Sequence, residues 1–258
     1  TRTDEVGAYL VMDAATGEVL ARKNIDRLWY PASVTKLMTA YTVFRAYRDG
    51  RAKPSSPVTI SKRAASQPPS KMGFKVGSVM TLDNALKMIM VKSANDVSLA
   101  IAESVGGGDA SVFIAQMNAH ARRLGMSRTI WQNPHGLPDS DQVTTARDLA
   151  ILGRALLREF PEHRGLYRMT AIELNGRRIK NHNHLLERFP GADGMKTGFI
   201  CAAGFNVVAS ATKNGRQLIT VVLGAINARE RAETAAELFV RAFQRETGGF
   251  FGLSASGP

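Results

Sequence analysis

The stretch "YPASVTKLMTAYTVF", residues 30 to 44, carries a single charge, that of Lys36. At 100° per residue, Val34, Leu37, Met38, Tyr41 and Phe44 fall on one face of a helix. Ala40, Val43 and Tyr47 continue the opposite edge, on which Lys36 lies. A helix from Ser33 to about Tyr47 is therefore apolar on nearly every side. It needs cover all round, so the chain has to wrap other layers around it, and a lysine buried there requires a partner.

With 258 residues and 44% hydrophobic content, the chain can bury one large core or two modest ones, which excludes a disordered or collagen-like chain. Its longest apolar runs, such as "QLITVVLGAI" over 217–226, fall short of the roughly 20 residues that a membrane-crossing helix needs. The one cysteine, Cys201, excludes an internal disulfide and leaves the compartment open. A net charge of +12 favours an anionic partner: nucleic acid, an acidic membrane surface or an anionic cell-wall polymer. The basic residues lie scattered in twos and threes, as in Arg122-Arg123 and Arg177-Arg178 with Lys180. No aromatic-plus-basic module accompanies them, so a solvated basic surface is expected and a nucleic-acid partner is not.

"GAYLVMDAATGEVLARKN" reads as a hairpin turning at Thr16-Gly17. After the central helix and a Pro/Ser-rich loop, "TLDNALKMIMVKS" and "DVSLAIAESVGG" read as two helices with a break at Ser93 to Asn95. "DASVFIAQMNAHARRLG" reads as a third, and "TTARDLAILGRALLREF" as a Thr-capped amphipathic helix. From about residue 170 the texture changes. Asn-Gly turns at 175–176 and 214–215 mark two more hairpins, and "ARERAETAAELFVRAFQRE" closes as a helix over the sheet. The expected class is α/β in the α+β sense: an antiparallel sheet built from both chain ends, flanked by helices, with a helical insert over about 50–165. Residues 1–245 are expected to form one catalytic domain and 246–258 a C-terminal tail.

Burial and the positive end of the helix dipole both disfavour the ammonium form of Lys36, which makes it a base. Ser33, three residues earlier, is within reach of that base, as an activated nucleophile requires. A bland alternative has Ser33 as a helix cap and Lys36 snorkelling to water. An S-x-x-K tetrad arises by chance roughly once in a chain of this length. Ser210-Ala211-Thr212-Lys213 matches too, but in an expected strand, where positions i and i+3 point to opposite faces.

Two further elements raise the weight of the first: Ser93-Ala94-Asn95 at the helix break, and Lys196-Thr197-Gly198 leading into a strand. Alone, the former reads as a helix cap and the latter as an exposed turn. Together and in this order, S-x-x-K, S-x-N and K-T-G resemble the penicillin-binding proteins and serine β-lactamases. In that chemistry Ser33 attacks a carbonyl and Lys36 takes its proton. Ser93 relays the proton toward the leaving amine, and Asn95 orients Lys36 and holds a substrate amide. Lys196 and Thr197 attract the substrate carboxylate, and Gly198 allows close backbone approach by a substrate lying along the strand edge. The family resemblance, not the spacing, places the oxyanion hole at the backbone N–H groups of Ser33 and Phe199.

Within that superfamily the chain is most similar to the low-molecular-mass D-alanyl-D-alanine carboxypeptidases. The resemblance spans roughly residues 5 to 245, including "YPASVTKLMTAY", "MIMVKSANDVSLAIAE", "NPHGLPDSDQVTTARDLA", "NGRRIKNHNHLL" and "GMKTGFICAAGFNVVASA". It implies a β-lactamase/transpeptidase-like fold, no cofactor, and removal of terminal D-Ala from peptidoglycan stem peptides in the periplasm or otherwise outside the cytoplasmic membrane. It also implies covalent inhibition by β-lactam antibiotics. D,D-endopeptidase and serine β-lactamase activities share the same acylation step and stay open. Ile200 stands where many relatives carry Thr. Larger relatives append a β-rich domain and an amphipathic anchor, for which "TGGFFGLSASGP" is too short, and no signal peptide is visible ahead of the hairpin.

Rival chemistries find less support. His182 and His184, on one face of an expected strand, and Asp193 are the best metal ligands on offer, but no third-ligand spacing accompanies them, and no metal is expected. A G-x-S-x-G elbow is missing, so His135 in "NPHGL" is expected to order a loop rather than act as a base. Glu173 in "IELNG" does not fit the E-x-x-L-N context of a class A β-lactamase, which favours a peptidase. A non-catalytic wall-binding module would have no use for the serine and its lysine.

Overall fold

The computed structural model describes residues 2–244, so the tail expected over 246–258 lies outside the described residues. A short helix α1 (Arg2–Glu5) precedes the hairpin of β1 (Ala8–Asp13) and β2 (Val19–Lys23). A 3₁₀ turn (Ala32–Thr35) runs into α2 (Lys36–Arg48). The helical region follows: β3 (Pro57–Thr59), α3 (Lys62–Ala65), β4 (Val79–Thr81), α4 (Leu82–Val91), α5 (Asn95–Val105), α6 (Ala110–Leu124) and α7 (Ala146–Glu159). Next come α8 (Arg164–Tyr167), the hairpin β5 (Ala171–Leu174) and β6 (Arg177–Lys180), and α9 (Leu185–Arg188). The long strands β7 (Ala192–Ile200), β8 (Gly204–Lys213) and β9 (Arg216–Ala225) lead to the closing helix α10 (Ala228–Gln244).

The main sheet is antiparallel throughout, in the order β2-β1-β9-β8-β7, so its strands do come from both ends of the chain. Its two faces bury two cores. On one side Val11, Val207, Val222, Leu238 and Phe239 pack between the sheet and α10. On the other, Leu10, Val208 and Ile219 meet α2, α7 and the helical region. Helix α7 lies directly on the sheet, where Gly153 faces the side chains of Val208, Ile219 and Met195. Its start is fixed by Thr145, whose hydroxyl caps the Asp148 N–H.

Helix α2 sits at the centre of this arrangement. Every residue from Lys36 to Phe44 is buried, as the apolar wheel requires, and the all-round cover comes from the 3₁₀ turn, the sheet and the other helices together. Truncating its fully buried Leu37 or Met38 to Ala removes roughly 2–5 kcal/mol of stability. The expected single helix from Ser33 is instead a 3₁₀ turn followed by α2. No single helix among the described residues is long and apolar enough to cross a membrane.

Candidate active site

The 3₁₀ turn matters for the pair it carries. At three residues per turn, positions i and i+3 eclipse, so Lys36 stands directly over Ser33, with Nζ 2.9 Å from Oγ. Lys36 Nζ also donates to Asn95 Oδ1 at 2.8 Å and to the His135 carbonyl at 2.7 Å, and the lysine has no solvent exposure. These last two partners can only accept. A neutral amine has two N–H groups to give them and one lone pair left, and Ser33 Oγ, the remaining neighbour, can donate to it. Desolvation, reinforced by the nearby Lys196 charge, holds the Lys36 pKa well below its ordinary value.

The break between α4 and α5 supplies Ser93 and Asn95. Ser93 takes a left-handed φ of 62° and Ala32, next to Ser33, one of 51°, conformations that cost a non-glycine residue roughly 1–2 kcal/mol. Both strained residues thus lie in or next to the candidate site. Asn95 does more than face Lys36. Its N–H donates to the Ser70 carbonyl at 2.7 Å and its Nδ2 to the Pro68 carbonyl at 3.0 Å. One of the two amide hydrogens expected to hold substrate is therefore committed to a loop. The buried Asp96 carboxylate pins the same loop by accepting from the N–H groups of Met72 and Gly73.

Strand β7 is one of the sheet's two outer strands and carries Lys196, Thr197 and Gly198 past the serine. The buried Lys196 donates to Ser93 Oγ at 3.0 Å and to the Thr197 carbonyl at 2.8 Å. Burial, followed by the Arg231 charge, pushes its pKa down to about 7. A Cβ on Gly198 would lie 2.8 Å from the Ser33 nitrogen and 3.1 Å from the Pro31 carbonyl. The close approach read into this glycine is thus to the chain's own turn at Ser33. Ser33, Ser93, Asn95, Thr197, Gly198 and Phe199 line one cleft of about 390 Å³, with Lys36 and Lys196 buried at its base.

Several contributors were not singled out from the sequence. Arg231, buried on α10 with its guanidinium 5.7 Å from the Phe205 ring, lines the cleft as a cationic group, its pKa lowered by burial to about 10. Asn206, opposite Gly198 on β8, donates to the carbonyls of Tyr30 and Pro31 and so ties the sheet to the serine's turn. Its signal was present, as one amide in the apolar run "GFNVVASA". Gly136, at φ 89°, fits against the Ala32 carbonyl where a Cβ would have no room. His135 contributes its carbonyl. Its imidazole Nδ1 accepts from the Leu137 N–H, and burial, followed by the Lys36 charge, lowers its pKa to about 3, which keeps the ring neutral.

The rival constellations come apart. His182 and His184 lie beyond the end of β6 rather than on a strand, because the ladder stops at Lys180 and the chain turns into α9. Both line the cleft, but the Asp193 carboxylate is taken up by Arg168, Thr212 and Gln217. Among the described residues no three of His, Cys, Asp and Glu converge as metal ligands. The decoy tetrad at Ser210 lies within β8, where Ser210 is buried opposite Ile219 and Lys213 ends the strand.

A family model described as D-alanyl-D-alanine carboxypeptidase matches residues 3–227. The D-alanyl-D-alanine carboxypeptidase DacC of Escherichia coli strain K12 is 38% identical over 244 residues, which cover 92% of this chain and 61% of the relative. DacF of Bacillus subtilis strain 168 is 34% identical over 93% of this chain and 63% of its own length. The chain thus spans about three fifths of the curated relatives it matches. Among solved structures, the carboxypeptidase DacD of Francisella tularensis superposes with a TM-score of 0.87 at 31% identity, over 92% of this chain and 70% of that one. Penicillin-binding protein D2 of Listeria monocytogenes, in its cefotaxime-bound form, gives 0.83 at 27% identity, over 93% and 97%. From the matched span and these likenesses, the chain belongs to the D-alanyl-D-alanine carboxypeptidase family.

Proposed function

We propose that the protein is a serine-type D-alanyl-D-alanine carboxypeptidase that releases the terminal D-Ala of peptidoglycan stem peptides through a Ser33 acyl-enzyme. The observation that carries the reading is the fully buried Lys36 Nζ, which lies 2.9 Å from Ser33 Oγ and bonds Asn95 Oδ1 and the His135 carbonyl, so that in its neutral form the two N–H groups go to those acceptors and the lone pair is left for the serine hydroxyl. Ser33 Oγ attacks the penultimate carbonyl while Lys36 Nζ takes the hydroxyl proton. The oxyanion receives the N–H groups of Ser33 and Phe199. The first lies in a helical first turn and has no intrahelical acceptor, and the second is on a strand with an open edge.

As the tetrahedral intermediate collapses, the C–N bond breaks and the leaving amine takes a proton from the Ser93 hydroxyl, which draws on Lys36 in turn. Water then hydrolyses the ester with Lys36 again as base. Thr197 and Arg231 line the cleft as the hydroxylic and cationic corner for the substrate's terminal carboxylate, and the buried Lys196, bonded to Ser93 from the other face of β7, adds its charge from behind. A β-lactam presents a strained amide and a carboxylate to the same groups and acylates Ser33. The net charge of +12 fits work at an anionic wall or membrane surface outside the cytoplasmic membrane.

Incubation with a stem pentapeptide and with a cross-linked muropeptide dimer, followed by mass spectrometry, tests the reading. Tetrapeptide and free D-Ala are expected from the first. Cleavage of the dimer alone would make the protein an endopeptidase, and rapid turnover of nitrocefin would make it a β-lactamase.

A further inference from the structure

The two faces of β7 divide the cleft. Lys196 pairs with Val208, whose side chain packs toward α2 and α7, whereas Thr197 pairs with Val207 on the α10 side, and Phe199, two residues on, shares that side with its partner Phe205. Arg231 reaches the same side from α10 and lies over Phe205. Thr197, Arg231 and Phe199 therefore line the same side of the cleft. A departing residue whose carboxylate is held by Thr197 and Arg231 has its Cα, and so its side chain, within reach of that ring.

Phe199 is unusual among the cleft residues. It is 50% exposed, and its ring packs against that of Phe205, with centroids 4.3 Å apart and planes tilted by 30°. With Phe205 and Ala228 it makes a preformed apolar shelf at the edge of the cleft. An aromatic ring that is already ordered loses little entropy when an apolar group covers it, so the gain in buried area goes to binding. A methyl group is small for such a surface.

We propose that Phe199, backed by Phe205 and Ala228, is a specificity-determining residue for the departing C-terminal residue, and that the site accepts there an apolar D-side chain larger than methyl at least as well as D-Ala. This rests on the carboxypeptidase reading above and deepens it.

Two synthetic peptides that differ only in ending in D-Ala-D-Ala or D-Ala-D-Leu test the proposal with the native chain, Phe199→Ala and Phe199→Leu. The readout is the ratio of the two kcat/KM values within each protein, in which any general loss of acylation cancels. The native ratio of D-Leu to D-Ala is expected at one or above. Phe199→Ala should lower it by about tenfold, the discrimination that a few buried methylenes supply, with Phe199→Leu in between. A native preference for D-Ala of tenfold or more, or the same ratio in all three proteins, overturns the shelf while leaving the carboxypeptidase intact. If the native chain cleaves neither peptide and a fluorescent penicillin leaves Ser33 unlabelled, the underlying reading fails, and the shelf with it.

Discussion

Gly198 and Ser33 meet backbone to backbone: a methyl group added to the glycine would sit 2.8 Å from the serine nitrogen, 3.0 Å from Val34 N and 3.1 Å from the Pro31 carbonyl. None of these atoms can swing aside as a side chain does. Gly198→Ala is expected to push β7 away from the nucleophile turn and slow penicillin acylation by about 10²-fold or more, the scale of a 1 Å misplacement. Stopped-flow acylation beside a thermal melt checks this, and a folded variant with native acylation would contradict it.

Asn95 and Lys36 are coupled through one 2.8 Å contact, which gives the base a tunable neighbour. Asn95→Asp places a carboxylate there and stabilises the ammonium form, so the Lys36 pKa rises. If the neutral amine is the base, as proposed, the acidic limb of the acylation profile should move up by roughly 1–3 pH units. An unmoved limb would mean that Lys36 is not the titrating base.

Lys196 is expected to set the other limb. Its pKa, pushed to about 7 by burial and then by Arg231, means that its charge fades as pH rises through that value in the free enzyme. If this charge holds the substrate carboxylate, kcat/KM falls through the same range. The kcat limb lies higher, because a bound carboxylate favours the ammonium form. Lys196→Arg should remove the limb, since guanidinium stays charged. Arg231→Gln removes a like charge and should shift the limb to higher pH.

His135 supplies a carbonyl and not a base. With the imidazole neutral at all assay pH values and bonded to the Leu137 N–H, His135→Ala should keep acylation within about tenfold of native and add or remove no ionisation. Loss of a titration between pH 6 and 9 in the variant would assign the ring a direct role.

What was legible in the sequence follows from how each contact is made. Three of the four hairpins announced themselves through Gly-containing turns, and α2 through an apolar wheel, whereas the turn from β7 to β8 through Cys201 to Ala203 carried no such pair. Ser33 and Lys36 were readable because their relation is local. Ser93, Asn95, Lys196 and Thr197 needed the order of three motifs, since their contacts span up to 103 residues. The His135 carbonyl was beyond reach because any residue type presents the same backbone oxygen. Arg231 was one of the many basic residues in an amphipathic helix, and only the packing of α10 on β8 and β9 brings it to the cleft. The 3₁₀ turn at Ser33 was read as plain helix because its sequence suits both. Its form is set by Gly136, Asn206 and Gly198 pressing on the turn from outside.

The central claim is that Ser33, activated by Lys36, forms the acyl-enzyme. Intact-mass analysis after exposure to benzylpenicillin tests it on the native chain, Ser33→Ala and Lys36→Met. One adduct, mapped to the peptide containing Ser33, is predicted for the native protein. None is predicted for Ser33→Ala, and acylation slowed by about 10²–10⁴-fold, the worth of a positioned base, for Lys36→Met. An equal adduct on Ser33→Ala, or native-rate acylation of Lys36→Met, would contradict the account.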